Sequence, residues 1–277
     1  MPSMSGLSVV EVARLAADCL EIAGRGAAIA LGGYGARPSV AEKSANDLVT
    51  EFDVATQRRV IELLSGRFPG VPIIGEEAGR EGLEQSRAEL VFVVDPIDGT
   101  TNFSIGHPFW CVSLGALSGG RPIAGAVVAP SLSLAWHGYV HADGSALLKN
   151  GAPRGVSRTD TLAESVVATG FPPVRDQAPA NNFDSFMSVK RGARAVRRCG
   201  SAAIDLCFVA DGTYDAYWER RLHLWDSAAG AAFVLAGGGR VTALDGGPAR
   251  LEAGNIVASN GRVHDELVRA IAGQRLA

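Results

Sequence analysis

The chain has 277 residues, long enough to bury a large core in one big domain or in two closely joined halves. A hydrophobic fraction of 47% with 20% charged residues excludes a disordered tail or a fibrous repeat, and a formal net charge of −3 excludes the overall basic balance of a nucleic-acid binder. The four cysteines, Cys19, Cys111, Cys199 and Cys207, form no C-x-x-C pair and are too sparse for a disulfide scaffold, so they read as reduced, mostly buried thiols. No uninterrupted apolar stretch of about 18 residues occurs, and no basic region precedes an apolar core at the N-terminus, which points to a cytoplasmic chain.

Ser8 and Glu11 have the spacing of a capping box, and Val9, Val12, Ala13, Ala16, Cys19, Leu20 and Ala23 follow at helical spacing, so a long first helix is expected to fade at Gly32-Gly33-Tyr34-Gly35. Arg37-Pro38 reads as a loop. Thr50 stands where an N-cap would, ahead of the apolar stripe Val54, Ile61, Leu64, Phe68, and Phe68-Pro69-Gly70 ends that second helix. Residues 71–74 and 90–94 read as buried strands that finish in acidic residues, Glu76-Glu77 and Asp95. From Cys111 to Lys149 four strand-like runs, at 112–117, 123–128, 134–141 and 146–149, predict an antiparallel meander. Beyond it, 201–210 reads as a helix, 214–218 as a strand, 226–236 as a helix closed by Gly237-Gly238-Gly239, and 262–272 as a last helix. The stretch from Gly170 to Asn182, with its prolines, reads as a long surface loop between halves. Helices and strands alternate throughout, so the class is α/β or α+β.

The chemistry concentrates at Asp95-Pro96-Ile97-Asp98-Gly99-Thr100-Thr101. Two aspartates three apart across a turn can face one hard cation, and an oxygen-rich site of this kind suits Mg²⁺. Gly99 lets backbone approach a ligand, and N–H groups of Gly99, Thr100 and Thr101 at a helix start would cradle an anion. The same pattern also describes a surface turn whose carboxylates merely cap a helix, so partners elsewhere must decide.

Such partners exist in order along the chain. Lys43, Asp47-Leu48-Val49-Thr50 with Asp53, Gly75-Glu76-Glu77, Asp95 to Phe103, and Trp225-Asp226-Ser227-Ala228-Ala229-Gly230 together resemble the motifs of the inositol monophosphatase family. The resemblance implies one catalytic domain over 1–277 with the inositol monophosphatase/fructose-1,6-bisphosphatase-like αβαβα sandwich fold. Its N-terminal half, to about 150, would hold the metal and phosphate motifs, and its C-terminal half the substrate contacts and the last metal ligand. It further implies Glu76, Asp95, the Ile97 carbonyl, Asp98 and Asp226 as ligands of two or three Mg²⁺ ions, and physically such a carboxylate cluster persists ionised only beside cations. By the same resemblance Thr100 and Asp53 pair near the attacking water, with Glu76 the other candidate to take its proton. Asp53 also completes T-x-x-D at a helix start and could serve only as a cap.

On the substrate side the resemblance maps recognition to Gly200-Ser201-Ala202-Ala203 and Glu219, with Ala202 and Glu219 against a polyol ring, Gly99 and Thr100 at the phosphate, and Lys43 where it softens the site's charge. Glu219 could equally be a strand-end surface residue and Lys43 a solvated loop lysine; Glu77 reads as outside the ligand set. A homodimer and lithium sensitivity are further expectations. The substrate is expected to be a small phosphorylated polyol or sugar, inositol 1-phosphate first, with histidinol phosphate, fructose 1,6-bisphosphate and 3′-phosphoadenosine 5′-phosphate as rivals. Thr101-Asn102-Phe103 resembles the inositol branch, whereas Glu219-Arg220-Arg221-Leu222 departs from the small, glycine-containing form of that branch. Lys190, Arg191, Arg194, Arg197 and Arg198 read as a solvated or subunit-contact face, or as attraction for a phosphorylated substrate or RNA, the last fitting a transcription-associated regulator on this fold. The five histidines lack H-E-x-x-H spacing, and neither a P-loop nor a G-x-S-x-G elbow occurs.

Overall fold

The computed structural model describes residues 6–36, 40–44, 47–78, 83–172 and 181–273, and for 40–44 and 47–48 the backbone alone. Both expected capping boxes form. Ser8 exchanges hydrogen bonds with Glu11 at the start of α1 (Val9–Gly33). After β1 (Val40–Ser44) and β2 (Asp47–Thr50), an antiparallel pair, Thr50 does the same with Asp53 at the start of α2 (Glu51–Arg67). Each box satisfies backbone N–H groups that a helix start leaves open. The Arg37-Pro38 turn lies outside the described residues.

The next elements are β3 (Ile73–Gly75), β4 (Val91–Asp98), the short α3 (Thr100–Ser104), β5 (Cys111–Ser118), β6 (Arg121–Ala129), β7 (Leu134–Tyr139), β8 (Ala146–Lys149) and β9 (Ala152–Pro153). Their strands form one seven-stranded sheet in the order β3-β4-β5-β6-β7-β8-β9, parallel only between β3 and β4. The meander is therefore as expected, and β4 runs on through the acidic motif because it keeps pairing with β5 across an irregularity between Asp95 and Asp98. The remainder is β10 (Val166–Thr169), α4 (Phe183–Gly192), β11 (Ala195–Arg197), α5 (Ala202–Ala210), β12 (Ala216–Glu219), α6 (Leu224–Ala236), β13 (Arg240–Thr242), β14 (Ile256–Ser259) and α7 (His264–Ile271). These strands make a five-stranded sheet, β11-β10-β12-β14-β13.

Alternation along β4 sorts its side chains into two cores. Phe92 and Val94 face α1 and α2 with Val112, Leu114 and Ala116 of β5. Val91 and Val93 face the opposite way, toward α5 and α6, which also cover Tyr217 and Ala258 of the second sheet. The outer face of that sheet, with Val167, Trp218 and Val257, packs on Val189 of α4 and Leu267 and Ile271 of α7. The result is five layers, αβαβα, with α5 and α6 sandwiched between the sheets.

Small residues let α6 lie close to the large sheet. A Cβ at Gly115 would sit 2.7 Å from the Ala228 Cβ, and one at Gly230 would sit 2.4 Å from the Leu206 Cβ. Ala228 and Ala229, lying against Gly115 and Gly125 of the sheet, thus set how near Asp226 comes to β4 and β5, while Gly230 lets α6 lie close to Leu206 of α5. Truncating the fully buried Phe233 on the same helix to alanine would cost about 3–5 kcal/mol.

Candidate active site

The end of β4, the start of α5 and the start of α6 meet at one acidic cluster. Carboxylate oxygens of Asp95, Asp98 and Asp226 all lie within 4.8 Å of one another. Glu76, first residue of a short turn after β3, interacts with both Asp95 and Asp226. Gln57 of α2 holds that turn, accepting a hydrogen bond from the Glu77 N–H at 2.8 Å.

Each carboxylate is tied to backbone. Asp95 Oδ1 accepts from the Ile97 N–H at 3.1 Å. Asp98 Oδ2 accepts from the Ser201 hydroxyl at 2.6 Å and the Ala203 N–H at 2.7 Å, with the Cys111 thiol 3.9 Å away. Asp226 Oδ2 accepts from the His223 N–H at 2.6 Å, so α6 starts at Leu224 and Asp226 caps it from inside its first turn.

Burial, followed by repulsion from Glu76, Asp98 and Asp226, pushes the Asp95 carboxyl well above the usual carboxylate range. Burial and then Asp98 and Glu76 do the same to Asp226, against the His223 N–H. Asp98 is pushed up by burial to about 6, restrained by its bonds from Ser201, Ala203 and Ala202. Bare, these groups resist ionising together; a hard cation removes both the desolvation and the repulsion. The all-oxygen donor set therefore fits divalent metal of the Mg²⁺ type.

Beside the cluster the chain turns sharply. Gly99 has φ 97°, and a Cβ there would lie 3.0 Å from the Phe109 carbonyl and 3.1 Å from that of Gly200, so the position requires glycine on both counts. Asn102 donates to the same Phe109 carbonyl at 2.7 Å and to the Cys199 carbonyl at 2.9 Å, pinning this turn to the segment before α5. Thr100 Oγ1 lies 3.1 Å from Asp53 Oδ1 and 3.0 Å from the Ile97 carbonyl. Asp53 is fully buried, and its other oxygen accepts from Thr50.

The wall facing the cluster is built by β12 and α5. Ala202 opens α5 and is almost fully buried. Glu219 ends β12, receives the Tyr217 hydroxyl, and lies so close over Gly170 that any side chain there would collide with it. Burial raises Glu219 to about 7, while Tyr217 and Arg198 lower it. Lys43 lies on β1, whose side chains are outside the described residues. Lys190, Arg191, Arg194, Arg197 and Arg198 are all exposed, along the end of α4, β11 and the segment after it. Gln57 and Tyr217 escaped the sequence reading, as did the hydrogen bonds that Asn102, Cys111 and Ser201 make here, because each acts through a partner distant in the chain or through an ordinary polar type with no diagnostic spacing.

Residues 11–276 match the profile of the inositol monophosphatase family. This chain belongs to that family. A curated relative, the inositol-1-monophosphatase of Synechocystis, is 39% identical over 240 residues, covering 86% of this chain and 82% of the relative. The Nus factor SuhB of Pseudomonas aeruginosa is 36% identical, covering 84% of this chain and 86% of its own. Among solved structures, the inositol monophosphatase of Anabaena (Nostoc) superposes with a TM-score of 0.83 at 32% identity, covering 96% of this chain and 98% of that one. The chain is thus an inositol monophosphatase-family phosphatase, a phosphoric monoester hydrolase, and its acidic cluster fits the metal dependence of that family.

Proposed function

We propose that this protein hydrolyses a small phosphate monoester of a polyol or sugar, inositol 1-phosphate foremost, using Mg²⁺ held by Glu76, Asp95, the Ile97 carbonyl, Asp98 and Asp226. The observation that carries the reading is the approach of three carboxylates within 4.8 Å beside the Gly99-Thr100 turn. When bound, two or three such ions would polarise the phosphate, acidify a water and stabilise the leaving oxygen. The Thr100 hydroxyl, directed by Asp53 or by the Ile97 carbonyl, orients the attacking water. Asp53 or Glu76 takes the water's proton as the phosphorus–oxygen bond to the alcohol breaks and the alcohol gains a proton. Gly99 and Thr100 present backbone N–H groups to phosphate oxygens, and Lys43 offsets negative charge. Glu219 accepts hydrogen bonds from the polyol hydroxyls, with Ala202 against the ring.

The name of the Synechocystis relative supports inositol 1-phosphate as substrate. The test is phosphate release, with Mg²⁺ and with EDTA, from inositol 1-phosphate, histidinol phosphate, fructose 1,6-bisphosphate and 3′-phosphoadenosine 5′-phosphate. Highest kcat/KM on inositol 1-phosphate, lost in EDTA and inhibited by lithium, is the expected result; no release from any of the four would overturn the reading. Light scattering is expected to give a homodimer.

The exposed basic residues from Lys190 to Arg198 and the SuhB relative favour a second reading, a transcription-associated RNA contact. Salt-sensitive RNA binding lost on replacing Arg194 and Arg197 would support it. The intact carboxylate set is why phosphatase chemistry is preferred.

A further inference from the structure

Among the buried polar atoms of the described residues, the Ser113 hydroxyl has no hydrogen-bond partner although the residue is only 1% exposed. Leaving a buried hydroxyl unpaired is costly, so a native protein that keeps one there has a use for it.

Its location is set by the sheet. Ser113 is directly opposite Asp95 in the antiparallel β4–β5 ladder. Opposed residues on such a ladder share a face, with Cβ atoms about 4.5–5.5 Å apart. Two residues along β5 on that same face are Cys111, whose thiol reaches Asp98, and Gly115, which abuts Ala228 of α6. Ser113 therefore sits under the cluster, between the strand that carries Asp95 and Asp98 and the helix that carries Asp226.

The three carboxylates differ in how they are oriented from behind. Asp98 has Ser201 and Ala203, and Asp226 has the His223 N–H. Asp95 has the Ile97 N–H on Oδ1 at 3.1 Å and otherwise a hydrogen bond with Glu76, which is lost once both carboxylates are ionised, and an ionised carboxylate accepts more than one donor. Groups that donate to metal-ligating carboxylates tune affinity as strongly as some ligands do.

We propose that Ser113 is a positioning residue for Asp95: its hydroxyl donates to that carboxylate from beneath when cations occupy the cluster. The inference rests on the proposed metal site and extends it to a residue outside the motif segments named in the sequence analysis.

The test is direct Mn²⁺ binding, followed by electron paramagnetic resonance, on the full chain and on Ser113→Ala and Ser113→Cys. Alanine leaves slightly less volume and cysteine slightly more, and neither supplies a strong donor. Both variants are expected to bind Mn²⁺ about 10–100-fold more weakly, while thermal unfolding in EDTA stays at or above the unsubstituted value because an orphaned buried hydroxyl is gone. Unchanged Mn²⁺ affinity in either variant, or a loss of affinity matched by a loss of stability in EDTA, would overturn the inference. An unsubstituted protein that takes up no Mn²⁺ would remove the proposed function itself and this inference with it.

Discussion

Asp53 divides its carboxylate between two tasks: Oδ1 faces the Thr100 hydroxyl at 3.1 Å, and Oδ2 accepts from the Thr50 N–H at 2.8 Å and the Thr50 hydroxyl at 2.5 Å. One residue caps α2 and stands beside the candidate chemistry. The two tasks are separable by substitution. Thr50→Ala removes part of the cap and is expected to cost about 1 kcal/mol of stability with turnover changed less than about tenfold. Asp53→Asn is expected to lower kcat by about 10²-fold or more at nearly unchanged KM. Thermal melts and steady-state kinetics on both check this; equal losses of turnover would refute the division.

Cation binding should be coupled to protons. Asp98 is pushed to about 6 by burial, against its hydrogen bonds from Ser201, Ala203 and Ala202, while Asp95 and Asp226 are held well above the usual range by burial first and repulsion from neighbouring carboxylates next. In the metal-free protein the folded state holds these protons more tightly than the unfolded chain does. Their contribution to stability is present at low pH and is lost as pH rises from about 4 through the folded values. Mg²⁺ reverses that loss, so the stabilisation it adds, read as a rise in Tm, is expected to grow from pH 5 to pH 8 at fixed Mg²⁺, and it amounts to about 2.7 kcal/mol where Mg²⁺ is in hundredfold excess over Kd. Calorimetry in two buffers of different ionisation enthalpy should show proton release, which shrinks as pH rises.

Asp205 of α5 is 2% exposed, its Oδ1 has no partner, and burial followed by Glu219 and Asp98 pushes it well above the usual carboxylate range. A raised folded value means that its stabilising proton is lost to the unfolded state's advantage as pH climbs above about 4. Asp205→Asn, which has no such proton to lose, is expected to raise Tm more at pH 8 than at pH 5. A variant equally or less stable at pH 8 would contradict this.

His264 carries the opposite sign. It is buried between the Thr242 and Ser259 hydroxyls, each 2.8 Å from a ring nitrogen, and burial lowers it to about 4. Above about 6.5 both folded and unfolded forms are neutral; as pH falls from there through about 4 the unfolded state gains a proton first and stability drops. His264→Gln is expected to be less stable at pH 7 but to lose less on going to pH 4.5 than the unsubstituted chain does. Chemical denaturation at the two pH values measures the difference.

How far the chain could be read before folding depended on range. The capping boxes of Ser8 with Glu11 and of Thr50 with Asp53 are three-residue relations, and both were legible. The meander from Cys111 to Lys149 was legible because each strand is bounded by turn residues. Strand β3 begins two residues later than expected, after Pro72, which carries no N–H for a ladder. Strands β10, β11, β13 and β14 have three or four residues, too few for a period, and α4 follows a stretch that reads only as loop.

Local spacing marked the turn from Asp95 to Thr101 as either a helix cap or a cation and phosphate site, because hard-cation and phosphate binding demand those groups. It took the resemblance to the inositol monophosphatase motifs to join Glu76 and Asp226 to it as candidate ligands. Folding decided whether they meet. Asp226 reaches Asp95 because Gly115 and Ala228 let α6 press onto β5, and Asp98 is oriented by Ser201 and Ala203, more than a hundred positions on. Folding also brought the Asp53 cap within hydrogen-bonding distance of the Thr100 hydroxyl and placed the unpartnered Ser113 hydroxyl on the face that carries Asp95. Those relations are contacts between layers, set by packing rather than by neighbours in the chain, and no local pattern encodes them.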